Sequence, residues 1–373
     1  MDREIKEVFQ QFEAAGEYTG STPIDSGHIN ATYLISTDLG ASYVLQKINH
    51  AVFKRPADVV SNKITVSKHL QRKLDENPGS AITKRVLNFC RSREGDYLYQ
   101  DAGGNYWNLM DFIENSRVYL KTPDRGIALE AGRAFGSFLA LTEDLDPAAI
   151  KETLPRFHSM SLRFEQFDEA VAKAPDDRLQ RAQQIIECAN RLRPEMHVLE
   201  ASVAEGRIPL RVTHNDTKIS NALFSEDGIA LCVIDLDTVM RGVVHYDFGD
   251  AVRTICSSAD EDEPDESKID FSLEYFEAFV RGFIGDSGIN LNEAEIEGLP
   301  ISAKVMTFIV GLRFLTDYLN NDIYFDTRYD DHNLVRARSQ FRRVELIEEN
   351  LDAMKEIVGR VVSEKERGMG SRV

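Results

Sequence analysis

Three polar residues of types that could act together chemically lie in the octet that begins at His214. His214, Asp216 and Asn221 form the pattern H-x-D-x-x-x-x-N. A carboxylate at Asp216 could accept the proton of a hydroxyl group that attacks phosphorus. An amide oxygen at Asn221 is a hard ligand of the kind Mg²⁺ prefers. The pattern therefore indicates phosphoryl transfer to a hydroxyl, and His214 is expected to hold the loop by hydrogen bonds.

A hairpin is expected directly after this octet. Asp227-Gly228 is a two-residue turn signal between two short apolar runs, and it would pair Asn221 with Ile234. Asp235 then follows, where a second oxygen ligand is needed, and Asp237 could face the same way. A strict pleat would point Asn221 and Asp235 to opposite faces of the hairpin. We therefore expect the ladder to end there, or the turn to be longer than two residues.

The elements that must position these residues divide the chain into two parts. An amphipathic helix in 2–15 precedes strand-like runs, and hairpin signals recur through 84–113. Helical spacing dominates from there to the C-terminus. We predict an α+β, bilobal fold with a small antiparallel-sheet lobe over 1–113 and a larger, mainly helical lobe over 114–373. Functional sites tend to lie in the cleft of such an arrangement.

Composition limits the partners. The 373 residues carry a formal net charge of −18, which argues against binding to a nucleic-acid backbone. No apolar run approaches the roughly 18 residues of a membrane span, so no membrane partner is expected. The four cysteines are far apart and indicate neither a disulfide framework nor a zinc site. These features, with an N-terminus unlike a signal peptide, predict a soluble, cytoplasmic protein.

The chain resembles a known protein family. It is similar to phosphotransferases with a protein-kinase-like fold, the aminoglycoside phosphotransferases and choline kinases, and most closely to the N-acetylhexosamine 1-kinases. Motifs along nearly the whole length carry the resemblance: 27–33 (GHINATY), 43–49 (YVLQKIN), 211–218 (RVTHNDTK), 234–238 (IDLDT), 246–250 (YDFGD), 313–318 (RFLTDY), 322–325 (DIYF) and 332–336 (HNLVR). The catalytic-loop motif 211–218 and the aspartate motif 234–238 indicate the superfamily, and the remaining motifs indicate the sugar 1-kinase branch.

The resemblance implies roles for individual residues. Asp216 would be the reacting carboxylate, and Mg²⁺ would be held by Asn221, Asp235 and Asp237. Contacts to ATP would come from a phosphate-covering loop, the third strand and an inter-lobe hinge, namely Gly27, His28, Ile29, Asn30, Gln46, Lys47, Asp111, Phe112 and Ile113. Contacts to the sugar would come from Asp216, Tyr246, Arg313, Asp317 and Tyr318.

The third strand departs from the family pattern. Gln46 stands where relatives carry a lysine for the ATP phosphates, and Lys47 is its neighbour. Strand alternation points the two side chains to opposite faces, so Lys47 is either a phosphate ligand or a solvated residue. The phosphate-covering loop also has a single glycine, Gly27, in place of the G-x-G-x-x-G of protein kinases.

Two other assignments stay open. Arg313 and Asp317 could form an ion pair within one helix, or they could bracket sugar hydroxyls from one face of that helix. Tyr246, Asp247 and Asp250 could bind sugar hydroxyls or cap a helix.

The function predicted is ATP- and Mg²⁺-dependent phosphorylation of an N-acetylhexosamine, GlcNAc or GalNAc, at the C1 hydroxyl. One alternative is a kinase of another small hydroxyl compound, such as an aminoglycoside. The other is a nucleotide-binding pseudokinase that regulates a partner. The expected partners are the sugar and ATP, with no nucleic acid and no membrane, and the protein is expected to be a monomer.

Overall fold

The structure is a computed structural model that describes residues 2–24, 29–76 and 85–370. Its N-terminal part is one antiparallel sheet with strand order β1-β2-β3-β6-β4, and β5 also pairs with β6. The elements are α1 (Asp2–Phe9), β1 (Tyr18–Pro23), β2 (Ala31–Thr37), β3 (Ser42–Ile48), α2 (Pro56–Glu76), β4 (Phe89–Cys90), β5 (Tyr99–Gln100) and β6 (Tyr106–Asp111).

The rest of the described chain is mainly helical. Two small antiparallel sheets, β10-β9-β7 and β11-β8, lie among the helices. The elements are β7 (Ser116–Arg117), α3 (Arg125–Leu141), α4 (Met160–Lys173), α5 (Asp176–Met196), α6 (Val198–Ala204), β8 (Arg211–Thr213), β9 (Ala222–Ser225), β10 (Ala230–Val233), β11 (Met240–Gly242), α7 (Val244–Ile255), α8 (Leu273–Val280), α9 (Glu293–Leu319) and α10 (His332–Gly370). This arrangement confirms the predicted α+β fold.

Hydrophobic residues join the sheet to the helical part in one core. Met110 and Ile113, at the end of β6 and just after it, pack in the same cluster as Ile127 and Phe135 of α3. A second cluster fills the sheet's other side, where the apolar face of α1 is buried. The boundary at residue 113 stays a prediction, because the packing is continuous across it.

The hairpin formed by β9 and β10, here termed the catalytic hairpin, has the predicted strand register at its Asn221–Ile234 end and a different register near its turn. The N–H of Ile234 donates to the carbonyl of Asn221 (2.8 Å), as predicted. Near the turn, the N–H of Ser225 instead donates to the carbonyl of Ile229, and a bulge between Ala230 and Cys232 compensates. The two-residue turn is therefore wrong. The turn is one residue longer, which is the other outcome expected from the sequence, and the bulge absorbs the added residue before the end that carries Asp235.

Two helical segments cross closely enough to exclude any side chain at the crossing. A Cβ on Gly132 of α3 would overlap the carbonyl of Phe279, and one on Gly282 would overlap the carbonyl of Leu129. Gly282 lies in a π-helical segment (Arg281–Asp286) that continues α8. Because the glycines have no side chains, the two backbones touch, and this contact fixes the position of α3. Helix α3 in turn packs against the hairpin of β9 and β10.

Contrary to the expectation from the sequence, one apolar run does approach a membrane span: helix α9 is long and apolar enough, by length and composition alone, to cross a membrane. In the folded chain 78% of its most apolar window is buried. Such burial is typical of the core helix of a globular protein, and α9 packs against α4, α7 and α10.

Candidate active site

The octet 214–221 connects β8 to β9, and the fully buried His214 fixes its course. The Nε2–H of His214 donates to the carbonyl of Ile234 (2.8 Å), because a carbonyl can only accept. Its Nδ1 is then free to accept the N–H of Asp216 (3.3 Å). His214 therefore holds the loop and ties it to the strand end that carries Asp235, in agreement with the role expected from the sequence.

Asp247, on the first turn of α7, also holds this loop by hydrogen bonds. Its carboxylate accepts the N–H groups of His214 (2.8 Å) and Asn215 (2.7 Å), and its carbonyl accepts the hydroxyl of Thr217 (2.5 Å). Burial raises the pKa of Asp247 to about 6. These bonds favour neither of the roles considered from the sequence: Asp247 positions the catalytic loop.

The Asp216 carboxylate lies at the open side of the loop. Its Oδ2 is 3.2 Å from the Lys218 ammonium and accepts the Asn221 amide N–H (3.0 Å). Burial alone would raise the pKa of Asp216, but the charge and hydrogen bond of Lys218, with His214 and Arg253 acting in the same direction, together outweigh burial, and the pKa lies below its usual range. Asp216 is therefore ionised at neutral pH, as a proton acceptor must be.

Asp235 is held where the hairpin ladder ends. Its backbone is left-handed (φ 59°), and a 3-10 turn, Leu236–Thr238, follows at once. The ladder stops before the pleat can send Asp235 away from Asn221, which is one of the two outcomes expected from the sequence. Burial and the charges of Asp237 and Asp216 raise the pKa of Asp235 to about 7.

These donors fit a magnesium ion that keeps most of its own ligands. Within the ranges that the structure describes, no three acidic, histidine or cysteine side chains form a ready-made metal site. Mg²⁺ commonly takes one or two carboxylates, with waters and substrate phosphates completing its shell. A cation beside Asp235 would relieve the repulsion among the three aspartates, and the amide oxygen of Asn221 is a second hard donor. Metal binding by Asn221, Asp235 and Asp237 stays a prediction.

Asp237 is surrounded by donors from the N-terminal part. The buried Lys63 of α2 forms an ion pair with it, the Asn30 amide donates to it, and the Gln46 amide lies 3.3 Å from Oδ2. Asn30 and Gln46, two of the predicted nucleotide residues, thus meet a predicted metal ligand. The carbonyl of Ile29 accepts the Asn49 amide (3.2 Å). Gly27 and His28 lie outside the described residues.

Lys47 lies on the opposite face of β3 from Gln46. Its ammonium is 5.4 Å from the centre of the Trp107 ring, and it makes no contact with the aspartates.

The predicted hinge lies at the end of β6 and just after it. Asp111 and Phe112 are fixed by backbone bonds from their N–H groups to Asn88 and Ser42, and Ile113 enters the core. Nucleotide contacts of the hinge stay a prediction.

A group of five side chains, here termed the His158 cluster, lies beside the catalytic loop. It comprises His158, Arg163, Asp216, Tyr246 and Arg313. The buried His158 ring is 4.9 Å from that of Tyr246, and its Nε2–H donates to the carbonyl of Asn215 (2.9 Å). Burial lowers the pKa of His158 to about 3, and the charges of Arg313, Arg163 and Asp216 all act on it. The cluster therefore gathers two arginines and the Asp216 carboxylate around a neutral histidine.

Arg313 does not pair with Asp317, so the ion pair within the helix is absent. The Asp317 carboxylate accepts the N–H groups of Tyr324 (2.8 Å) and Phe325 (2.9 Å), and it anchors the loop after α9. Tyr318 is fully buried in the helical core, where Arg178 lies over its ring. The structure thus brings Arg313, Tyr246 and Asp216 together, and it does not bring Tyr318 or the Asp317 carboxylate to them.

Four residues of the site escaped sequence reasoning: Lys63, His158, Arg163 and Lys218. Lys218 had the simplest signal, because it stands two residues after Asp216 inside the motif. Lys63 interrupts the buried stripe of α2 formed by Val59, Val66 and Leu70, and a charge in such a stripe needs a partner. His158 and Arg163 carried no local signal.

Fold and site together define a kinase-like phosphotransferase, with a sheet above a catalytic loop and an aspartate-bearing hairpin. The chain belongs to the phosphotransferase enzyme family APH, which it matches over residues 21–281. It is therefore an enzyme of the family that includes aminoglycoside, ethanolamine and choline kinases.

Solved structures share the fold at low sequence identity. An amicoumacin kinase in complex with AMP-PNP and Ca²⁺ aligns with a TM-score of 0.60 and 14% identity, over 93% of each chain. Spectinomycin phosphotransferase APH(9)-Ia, in complex with ADP and spectinomycin, aligns with a TM-score of 0.57 and 12% identity, over 97% of this chain and 98% of that one. An ethanolamine kinase from Plasmodium vivax aligns with a TM-score of 0.53 and 12% identity, over 89% and 83%. These likenesses confirm the bilobal kinase-like fold.

Proposed function

We propose that this enzyme transfers the γ-phosphate of ATP to the C1 hydroxyl of an N-acetylhexosamine. Family membership supports phosphoryl transfer to a small hydroxyl compound. The observation that carries the choice of acceptor is the charge of the His158 cluster. Within the described part of the chain, neither Arg163 nor Arg313 forms an ion pair with a carboxylate.

Two guanidinium groups that have no carboxylate partner among the described residues favour a neutral polyhydroxyl acceptor over a cationic one. Burial and the charge of Arg313 lower the pKa of Arg163 to about 10, so the two charges already repel each other. An aminoglycoside, choline or ethanolamine would add further positive charge beside them, at an electrostatic cost. Sugar hydroxyls and an acetamido carbonyl instead accept hydrogen bonds from guanidinium N–H groups.

Aromatic rings complete a surface suited to a sugar. The Arg313 guanidinium lies over the rings of Phe157 (5.4 Å) and Tyr324 (5.8 Å), which hold it flat and offer apolar faces nearby. Asp216 would accept the proton of the C1 hydroxyl as that oxygen attacks the γ-phosphate. Mg²⁺, when bound through Asp235 and Asn221, would neutralise charge on the phosphates.

The decisive experiment measures ADP release with a panel of acceptors and locates the phosphate by NMR. GlcNAc or GalNAc should be phosphorylated at C1, and their methyl glycosides, blocked at that oxygen, should not react. Phosphate at C6, or turnover only with an aminoglycoside or a uronic acid, would refute the assignment. ATP binding without turnover of any acceptor would favour the regulatory pseudokinase.

A matched pair of arginine variants tests the role of the cluster. Arg313→Ala should lower kcat/KM for the sugar by about 10- to 100-fold, because hydroxyl groups of the bound sugar lose charge-assisted partners, while KM for ATP changes little. Arg125→Ala removes an arginine whose side chain is 67% exposed, at the start of α3, and should change neither parameter. A larger effect of Arg313→Ala on ATP than on the sugar would place Arg313 elsewhere in the reaction.

A further inference from the structure

The positive charge paired with Asp237 comes from a helix, not from the strand on which this fold usually carries a lysine. In protein kinases a lysine of the third strand reaches the ATP phosphates and pairs with a glutamate of the following helix. Here the strand position holds the neutral Gln46, and the helix α2 supplies Lys63. The Lys63 ammonium donates to the Gln46 Oε1 (2.6 Å). The helix and the third strand are therefore in contact as in protein kinases, but here the helix carries the lysine and the strand carries its hydrogen-bond partner.

Lys63 is held rigidly in this position. Its side chain is only 2% exposed, and it forms an ion pair with Asp237. The preceding residue, Asn62, bonds to the backbone of Lys151 in both directions (2.8 and 2.9 Å) and to the carbonyl of Val239 (3.1 Å). The bond to Val239 ties α2 to the segment that follows the aspartates, and the bonds to Lys151 tie it to the loop before α4. The ammonium therefore keeps its place relative to the metal-binding side chains.

Gln46 is suited to position a lysine and not to replace one. Its amide oxygen accepts from Lys63, while its amide N–H points to Asp237 (3.3 Å). A glutamine carries no charge that could offset a phosphate. Lys47 cannot substitute, because it lies on the other face of the strand above Trp107.

We propose that Lys63 is the phosphate-binding cation of this enzyme and that Gln46 positions it. The inference rests on the proposed use of ATP, and it does not depend on which acceptor is phosphorylated. With nucleotide present, the ammonium donates to a phosphate oxygen while Gln46 Oε1 retains its hydrogen bond. Asp237, no longer paired with Lys63, would then be free to hold a metal ion together with Asn221 and Asp235.

The test is nucleotide binding by titration calorimetry with ATP, ADP and adenosine, with and without Mg²⁺. Lys63→Met should weaken ATP and ADP by about 10- to 100-fold, the effect of one charge-assisted hydrogen bond, and leave adenosine unchanged. Lys68→Met, which removes an exposed lysine from the same helix, should change none of the three. Lys47→Met should resemble Lys68→Met.

A double variant, Gln46→Lys with Lys63→Gln, returns the lysine to the strand and should recover most of the lost ATP affinity. This exchange also decides the matter if Lys63→Met does not fold. Equal weakening of adenosine and ATP by Lys63→Met, or loss of ATP affinity only with Lys47→Met, would overturn the proposal. A wild-type protein that binds no ATP would overturn both proposals, whereas ATP binding without sugar turnover would overturn only the choice of acceptor.

Discussion

His245 makes stability depend on pH in a way that can be calculated. It lies in the first turn of α7 with no exposed surface, and its Nε2–H donates to the carbonyl of Glu295 (2.9 Å). Its Nδ1 is buried without a partner among the described residues. Burial lowers the pKa of His245 to about 4, and the charges of Glu295 and Arg211 act on it in opposite directions. A proton at Nδ1 would therefore add a buried N–H with no acceptor.

The sign and size of the effect follow from linkage. The pKa is near 6.5 in the unfolded chain and about 4 in the folded one, so the unfolded chain binds more protons between these values. Stability is lost as the pH falls below about 6.5, and the loss levels off near pH 4. Between pH 7.5 and pH 5 this single residue should cost about 2 kcal/mol of unfolding free energy.

Urea unfolding at pH 7.5, 6 and 5 tests this value. His245→Gln keeps a side-chain N–H for the Glu295 carbonyl and cannot be protonated, so it should lose about 2 kcal/mol less than wild type over the range. His158 also has a depressed pKa, but it is present in both proteins and cancels in the comparison. His50→Gln, at an exposed position, serves as the matched control. Equal losses in wild type and His245→Gln, to within about 0.5 kcal/mol, would refute the buried neutral imidazole.

Three further outcomes are expected. Asp216→Asn should reduce kcat by about 10²- to 10⁴-fold in the ADP-release assay, with the Kd for ATP unchanged, because proton acceptance is lost. Asp235→Ala should raise the Mg²⁺ concentration needed for half-maximal rate, and Asn221→Ala should do so less; equal Mg²⁺ curves would remove both from the metal site. Gly282→Ala should destabilise the fold by about 2–3 kcal/mol in urea, since the new methyl would overlap a backbone carbonyl of α3. Gly359→Ala, in open space on α10, should instead stabilise it slightly.

The parts of the site that could be predicted are those fixed by short stretches of chain. The pairing of Asn221 with Ile234 and the end of the ladder at Asp235 both follow from one hairpin and its pleat. The turn was wrong for a local reason as well. A three-residue turn and a bulge give the same register at the far end as a two-residue turn, and the strand pattern does not distinguish them.

The parts that could not be predicted depend on which distant segments pack together. His158 reaches the catalytic loop through the carbonyl of Asn215, and nothing in the chain near His158 signals that contact. Asp317 shows the opposite case, in which a nearby residue suggested a contact that the structure does not contain. Its spacing from Arg313 suited an ion pair, but two backbone N–H groups from the following loop occupy the carboxylate instead. These two backbone donors hold the carboxylate, and an ion pair with a partly exposed guanidinium adds little that could compete with them.

The exchange of Lys63 and Gln46 removes the lysine from the third strand of the family pattern and keeps a positive charge for the phosphates on α2. A phosphate responds to where a positive charge lies, and the element that carries the charge matters only through the precision with which it is held. A strand fixes a lysine by its ladder; here α2 achieves the same through the three hydrogen bonds of Asn62. Asn62→Ala should therefore weaken ATP more than adenosine, although Asn62 bonds only to backbone groups in the free protein. If it weakened both equally, α2 would be only a structural support, and the ammonium would owe its position to Asp237 alone.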